Sequence, residues 1–317
     1  MTSAGSVGAA RRLHDHLWVI DTFHQGQPGV VASYLLAGPH GLGLVDVGSG
    51  ATVENLLAGV RAAGFDPREI ERILLTHIHL DHAGATGALV AQAPCAHVYV
   101  HRLGAPHLID PIRLVRSATR IYGERMSALW GEIIPVPQER LRVVDEGDAI
   151  AVGSGELRVL YTPGHAIHHI AFFDERLGHL FPGDVAGVRL EEPPLVRPPT
   201  PPPDLSLEDW YASLDRILTL HPQRLFLPHY GPVVEVEAHV AALRERLRVW
   251  GDLALAGMRA GLDADGITRA FAESDRARLA DLRDPAVARR YEVAANYLMS
   301  AQGYVRYFQT QHPESLP

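Results

Sequence analysis

Between residues 70 and 82 the sequence reads IERILLTHIHLDH: an apolar run stops at Thr76, and His77, His79, Asp81 and His82 fall within the next six positions. The run itself, rich in Ile and Leu, has strand character. Upstream, Val53, Leu56, Leu57, Val60 and Ala63 recur at i, i+3, i+4, i+7 and i+10, one face of a helix, with Gly64 placed to cap it. Before that helix, LGLVDV (42–47) reads as another strand. A strand, helix, strand unit of the right-handed crossover kind commits this part of the chain to an α/β arrangement. It also sets the polar cluster just past the carboxyl end of a strand, where ligand sites in such sheets collect.

Other short runs of large or β-branched apolar residues continue the pattern. LWVI (17–20), VVASYLLA (30–37), HVYV (97–100), LRVV (141–144), LRVLYT (157–162), HIAFFD (169–174), GHLFP (178–182) and RLFLP (224–228) are expected strands. Residues 83–92 are expected to form a short helix, and 103–131 an irregular helical stretch whose Arg113, Arg116, Arg120 and Tyr122 read as a solvated face. Seven prolines between Pro193 and Pro203 imply a stiff, extended connector. A helix is expected over 206–220. Residues 235–317 lack strand signals and read as about three helices packed on the main body.

Composition narrows the choice of ligand chemistry. The lone Cys95 forms no internal disulfide and leaves no thiolate pair for a metal, so any ion must be held by imidazole and carboxylate. With 29 Lys plus Arg against 37 Asp plus Glu, the net charge is −8, which argues against the broad basic surface that nucleic-acid binding uses. No run is long and apolar enough for a membrane span, and residues 1–17 have no signal-peptide core, so a cytoplasmic location is the expectation.

His77 and His79, two apart, project to one side of an extended backbone, and Asp81 and His82 turn to a neighbouring position, which implies two adjacent sites. The motif order then extends the pattern: THIHLDH is followed by TPGHAIHH, FPGDV and LPHYGP, each at a strand-to-loop boundary, and together these supply His165, Asp184 and His229. In this the sequence resembles the metallo-β-lactamase fold superfamily. The resemblance covers about residues 17–235 and implies an α/β fold, a four-layer αββα sandwich with the metals at one edge of its sheets. On this basis residues 1–235 are a metallohydrolase domain and 236–317 a C-terminal helical extension packed on it.

The resemblance assigns His77, His79 and His165 to a first metal, and Asp81, His82 and His229 to a second, with Asp184 bridging the two. It places Asp46 of LVDVGSG behind the first metal, orienting a ligand. The cofactors implied are two divalent ions, Zn2+ first, with Fe or Mn as alternatives. His168 and His169 are expected to be structural, as are His24, His101 and His107, and Tyr230 to pack.

The implied chemistry is hydrolysis by a metal-bridging hydroxide held by Asp81 and Asp184, without a protein nucleophile. The sequence has no obvious G-x-S-x-G serine motif, which fits that route. Within the superfamily, Asp184 argues against native β-lactam hydrolysis. His79 stands where diiron oxygen-reducing relatives carry Glu, and the full second ligand set departs from single-iron persulfide oxidisers. What remains looks like the glyoxalase-II-like branch, acting on a small ester, thioester or lactone, or like the phosphodiesterase and nuclease branch. The acidic balance favours the small acyl substrate, with no nucleic acid and no membrane as partners. A homodimer is compatible with the sequence. The loop 189–205 is expected to form one wall of the substrate pocket and the helical residues 103–131 the other.

Overall fold

The computed structural model describes residues 10–190, 195–282 and 284–316. Its strands form two sheets, one of seven strands and one of six. The chain divides into two compact units, Met1–Tyr161 with Ile170–Phe181, and Thr162–His169 with Pro182–Pro317.

In the first unit the seven-stranded sheet follows chain order: β1 (Ala10–His14), β2 (Leu17–Asp21), β3 (Ala32–Leu36), β4 (Leu42–Val45), β5 (Ile70–Leu74), β6 (His97–His101) and β7 (Leu141–Val144). β1 to β4 pair antiparallel, and β4 to β7 pair parallel. The parallel pairs need crossovers, and the expected helix supplies the first of them as Val53–Ala62 between β4 and β5. It buries Leu56, Leu57 and Val60 against Ile20, Leu44 and Ile73. Each such side chain contributes about 1.5–3 kcal/mol by leaving water. Gly64 has φ +95°, the left-handed conformation of a helix C-terminus. β3 and β4 are buried at every position, the pattern of strands covered on both faces.

The same unit holds an antiparallel run of four strands, β8 (Ala149–Val152), β9 (Gly155–Tyr161), β10 (Ile170–Asp174) and β11 (His179–Phe181). Three helices, Ala105–Ile109, Ile112–Tyr122 and Met126–Trp130, occupy the stretch expected to be irregular and helical. Ala118, Trp130 and Leu80 form a small cluster there, joined by Tyr122 and Leu114, so one face of the Arg-bearing helix is packed while its arginines face outward.

In the second unit β12 (Arg224–Leu227) and β13 (Gly231–Val233) form a hairpin. A helix follows each part of the chain expected to carry one: Leu207–Thr219, then Val236–Arg259, Ala264–Ala280, Pro285–Ala294 and Tyr297–Gln311, four helices after residue 235 where about three were expected. Side chains of Ser206, Asp263, Asp284 and Asn296 accept from the first-turn amides of four of these helices, which sets where they start. Trp250 and Phe271 stack at 4.5 Å between ring centroids inside the helical body. Of the proline-rich connector, residues 191–194 lie outside the described residues, and Val188 and Arg197 on either side pair as an isolated β-bridge. No helix among the described residues is long and apolar enough to cross a membrane.

Three strands, β1, β8 and β13, have no counterpart in the expected set. β1 (ARRLH) is an edge strand exposed at most positions, so it carries no apolar alternation. β13 (GPV) contains Gly and Pro, which read as a turn.

Candidate metal centre

The first unit delivers its four candidate ligands from a single turn. β5 ends at Leu74, the chain bends at Thr76, His79 is extended, and a short helix, Leu80–Ala83, then turns Asp81 and His82 back. His77 and His82 are fully buried, with ring centroids 4.0 Å apart. His77 Nε2 and His79 Nδ1 approach to 3.1 Å, and His82 Nε2 and Asp81 Oδ2 to 3.6 Å.

Asp46 decides which nitrogen of each ring carries the proton. It follows β4 with φ +53°, a conformation that Asp tolerates better than most residues and that turns the side chain inward. Its carboxylate accepts from the Thr76 amide at 2.8 Å and from the Thr76 hydroxyl at 2.8 Å. It also accepts from His82 Nδ1 at 2.9 Å. A carboxylate only accepts, so His82 carries its proton on Nδ1 and presents a lone pair at Nε2. Thr76 has spent its one hydroxyl hydrogen on Asp46, so its oxygen accepts from His77 Nδ1 at 3.1 Å. His77 therefore presents a lone pair at Nε2 as well. Asp46 thus orients His82, assigned to the second metal, directly, and His77 of the first set through Thr76. The sequence reading placed Asp46 behind the first metal alone.

The second unit gathers His165, Asp184 and His229. Gly164, with φ +127°, lies so close to Trp210 that a Cβ would come within 2.3 Å of its Cα, which accounts for the glycine before His165. His165 Nδ1 donates to the Pro199 carbonyl at 2.8 Å, leaving its Nε2 lone pair 3.5 Å from Asp184 Oδ2. The other carboxylate oxygen, Oδ1, lies 3.4 Å from His229 Nε2. Asp184 sits in a 3-10 turn, Gly183–Ala186, that is pinned from two sides: Trp210 Nε1 donates to the Val185 carbonyl at 2.7 Å, and His239 Nε2 donates to the Ala186 carbonyl at 2.8 Å. His229 is held through its backbone, its carbonyl accepting from the Arg189 amide at 2.6 Å.

These tautomers set acceptor against acceptor. A neutral imidazole lone pair and a carboxylate oxygen repel unless a cation lies between them, and this confrontation occurs at His165 with Asp184 and at His82 with Asp81. Nitrogen and oxygen donors with no thiolate suit zinc and its neighbours. Asp184, with one oxygen toward each of two histidines, has the form of a bridging carboxylate. Among the described residues, every group of three His, Cys, Asp or Glu side chains spaced to hold an ion draws on these seven. The donor set therefore fits divalent cations.

Other titratable groups have structural partners. His169 Nδ1 hydrogen-bonds Thr162 Oγ1 at 2.9 Å, and buried His101 stacks on Tyr161 and lies 3.6 Å from Asp145. His239 titrates at about 4, because burial penalises its charged form. Tyr122 was read as part of a solvated face. Its phenol is instead pushed up to about 12, by burial first and by the charge of Asp81 second. Thr76, Pro199, Trp210 and His239 were not anticipated in the sequence. Thr76 had a signal, its place between strand and ligands, but a backbone carbonyl such as that of Pro199 has none.

Comparison with known proteins places these features in a family. The sequence profile of the metallo-beta-lactamase superfamily matches residues 26–229. A metallo-beta-lactamase fold-containing protein of Sulfurisphaera tokodaii, ST1585, is 28% identical over 209 residues, covering 65% of this chain and 75% of that one. A hydroxyacylglutathione hydrolase of Idiomarina loihiensis is 32% identical over 117 residues, 37% of this chain, and the match spans only 33% of that enzyme. Among solved structures, the metallo-beta-lactamase family protein TTHA1429 of Thermus thermophilus superposes with a TM-score of 0.68 at 23% identity, covering 94% of each chain. That likeness extends past residue 235, so the fold expected from the motifs and the helical region after them are both found in a known structure.

Proposed function

Because the chain belongs to the metallo-beta-lactamase superfamily, we propose that its seven ligands hold two divalent cations, zinc first, and that it hydrolyses a small acyl substrate: an ester, thioester or lactone. The observation that carries this reading is Asp184, whose two carboxylate oxygens face His165 and His229 at 3.5 and 3.4 Å. A carboxylate shared in this way is what a two-ion site requires. Ions so held would polarise the scissile carbonyl and lower the pKa of a bound water toward neutrality.

The remaining work falls to the chain. His82 and His77 are kept in one tautomer by Asp46 and Thr76, and His165 by the Pro199 carbonyl, so no proton has to move before the ligands can bind. Asp81 and Asp184 would accept hydrogen bonds from the attacking water and aim it. A thioester is the first substrate to try, on the similarity to a hydroxyacylglutathione hydrolase over the part of that enzyme the match spans. The net charge of −8 supports a small substrate over a polyanion.

Metal-loaded protein assayed against thioester, lactone, aryl ester and bis-aryl phosphodiester substrates is the test. Turnover of an acyl substrate, abolished by Asp184→Asn, is expected. A preference for the phosphodiester would move the assignment to the nuclease branch of the superfamily, and oxygen consumption by an iron-loaded protein would move it to redox chemistry.

A further inference from the structure

Arg197 is fully buried among the C-terminal helices, two residues before the carbonyl that orients His165. Burying a guanidinium costs several kcal/mol unless its charge and its donors are met. Here they are. Arg197 donates to Glu292 at 2.7 Å, to the Ala295 carbonyl at 3.1 Å and to the Tyr297 hydroxyl at 2.6 Å. Its Nε lies 3.6 Å from Asp275, which also pairs with Arg246 at 2.9 Å and accepts from the Tyr297 hydroxyl at 2.9 Å. Arg197 and Arg246 thus meet Asp275 and Glu292, and all but Arg197 come from helices between residues 236 and 294.

The clamp acts on a stiff piece of chain. Arg197 is tied to Val188 by a pair of backbone hydrogen bonds, at 2.9 and 3.0 Å. The next two residues are Pro198 and Pro199, whose rings fix φ and leave few soft torsions between the guanidinium and the Pro199 carbonyl. Beyond them, Thr200 packs so closely on the last helix that a Cβ on Gly303 would lie 1.8 Å from its carbonyl oxygen. The segment is therefore fixed on both sides of Pro199 by the C-terminal helices.

We infer that Arg197 is a positioning residue for the metal site: the helices after residue 236 hold it, it holds the Pro199 carbonyl, and that carbonyl holds His165 in the tautomer that binds an ion. This inference rests on the metal-binding reading above. It gives the proline-rich segment and the C-terminal helices one shared task, apart from any contact with substrate.

The test compares full-length variants by zinc affinity, from competition with a chromophoric chelator, and by the visible spectrum of the cobalt-loaded protein. Arg197→Met is expected to weaken one of the two zinc ions by about 10- to 100-fold, the usual effect of losing a partner behind a ligand, and to alter the cobalt bands. Gly303→Ala, which leaves every member of the clamp in place but displaces Thr200, is expected to do the same. Ile267→Ala, a cavity-making change in the same helices, is expected to lower stability without moving either readout. Should Arg197→Met fail to fold, Gly303→Ala decides. Wild-type constants and spectrum in the folded Arg197→Met or Gly303→Ala protein, or an equal loss in Ile267→Ala, would overturn the inference while wild type still holds two ions. A wild-type protein that takes up no zinc would overturn the metal reading and this inference with it.

Discussion

Asp46 and His82, 36 positions apart in the chain, are joined by a 2.9 Å hydrogen bond in which a fully buried imidazole donates to a carboxylate already bound by Thr76. Three donors converge on that carboxylate, and no neutral group of the same shape can accept from all of them. Asp46→Asn places an NH2 against the Thr76 amide, the Thr76 hydroxyl or His82 Nδ1, and the cheapest escape is for His82 to move its proton to Nε2. The variant should bind the ion served by His82 about 10- to 100-fold more weakly. It should also lose about 1–3 kcal/mol of stability. Chelator competition and urea unfolding measure the two. Wild-type zinc affinity in Asp46→Asn would show that the hydrogen bond does not set the tautomer.

On the proposed reading Asp184 is arranged for an ion, at the expense of the metal-free fold. Its oxygens face imidazole nitrogens of His165 and His229. Asp184→Asn can donate from its NH2 to the lone pair of His165, so the metal-free variant is expected to be as stable as the metal-free wild type, or more so, while losing metal binding. Thermal unfolding after chelator treatment checks this. A metal-free variant several kcal/mol less stable than wild type would mean that Asp184 is chiefly structural.

His239 supplies a pH dependence with a definite sign. Its folded pKa is depressed to about 4 by burial, from an ordinary value of 6.5. Between those values the unfolded chain binds a proton that the folded chain does not. Its contribution to stability is therefore intact above pH 6.5 and is lost as the pH falls toward 4. Between pH 7 and 4.5 the loss should be about 2–3 kcal/mol in urea unfolding of the metal-free protein. In His239→Gln, which keeps a donor for the Ala186 carbonyl, the pH profile should flatten by about that amount. Identical profiles for the two proteins would remove His239 as the cause.

The parts of the fold that were readable are those where periodicity or punctuation is dense. Ile70–Leu74 and the ligands after it form one uninterrupted text, and the helix Val53–Ala62 shows its buried face at helical spacing. β8 was missed because AIAV is four residues long, two of them alanine. The signal that would have found it is Gly153-Ser154, a two-residue turn that pairs Val152 with Gly155. Of the centre, the seven candidate ligands were legible because imidazoles and carboxylates announce themselves by type and order. What holds them was not. Pro199 acts through a carbonyl that every residue has. Arg197 sits in a proline-rich run where an arginine reads as solvent-exposed, and only folding brings it to Asp275, Glu292 and Tyr297 from about 80–100 positions away. Tyr122 reads as exposed for the same reason, since nothing in its helix records that Asp81 lies near.

Calorimetric titration of chelator-treated protein with zinc tests the central claim most directly. Two ions per chain are expected in wild type, falling to one when His82 is replaced by alanine. Uptake of no ion, or of two in His82→Ala, would contradict it.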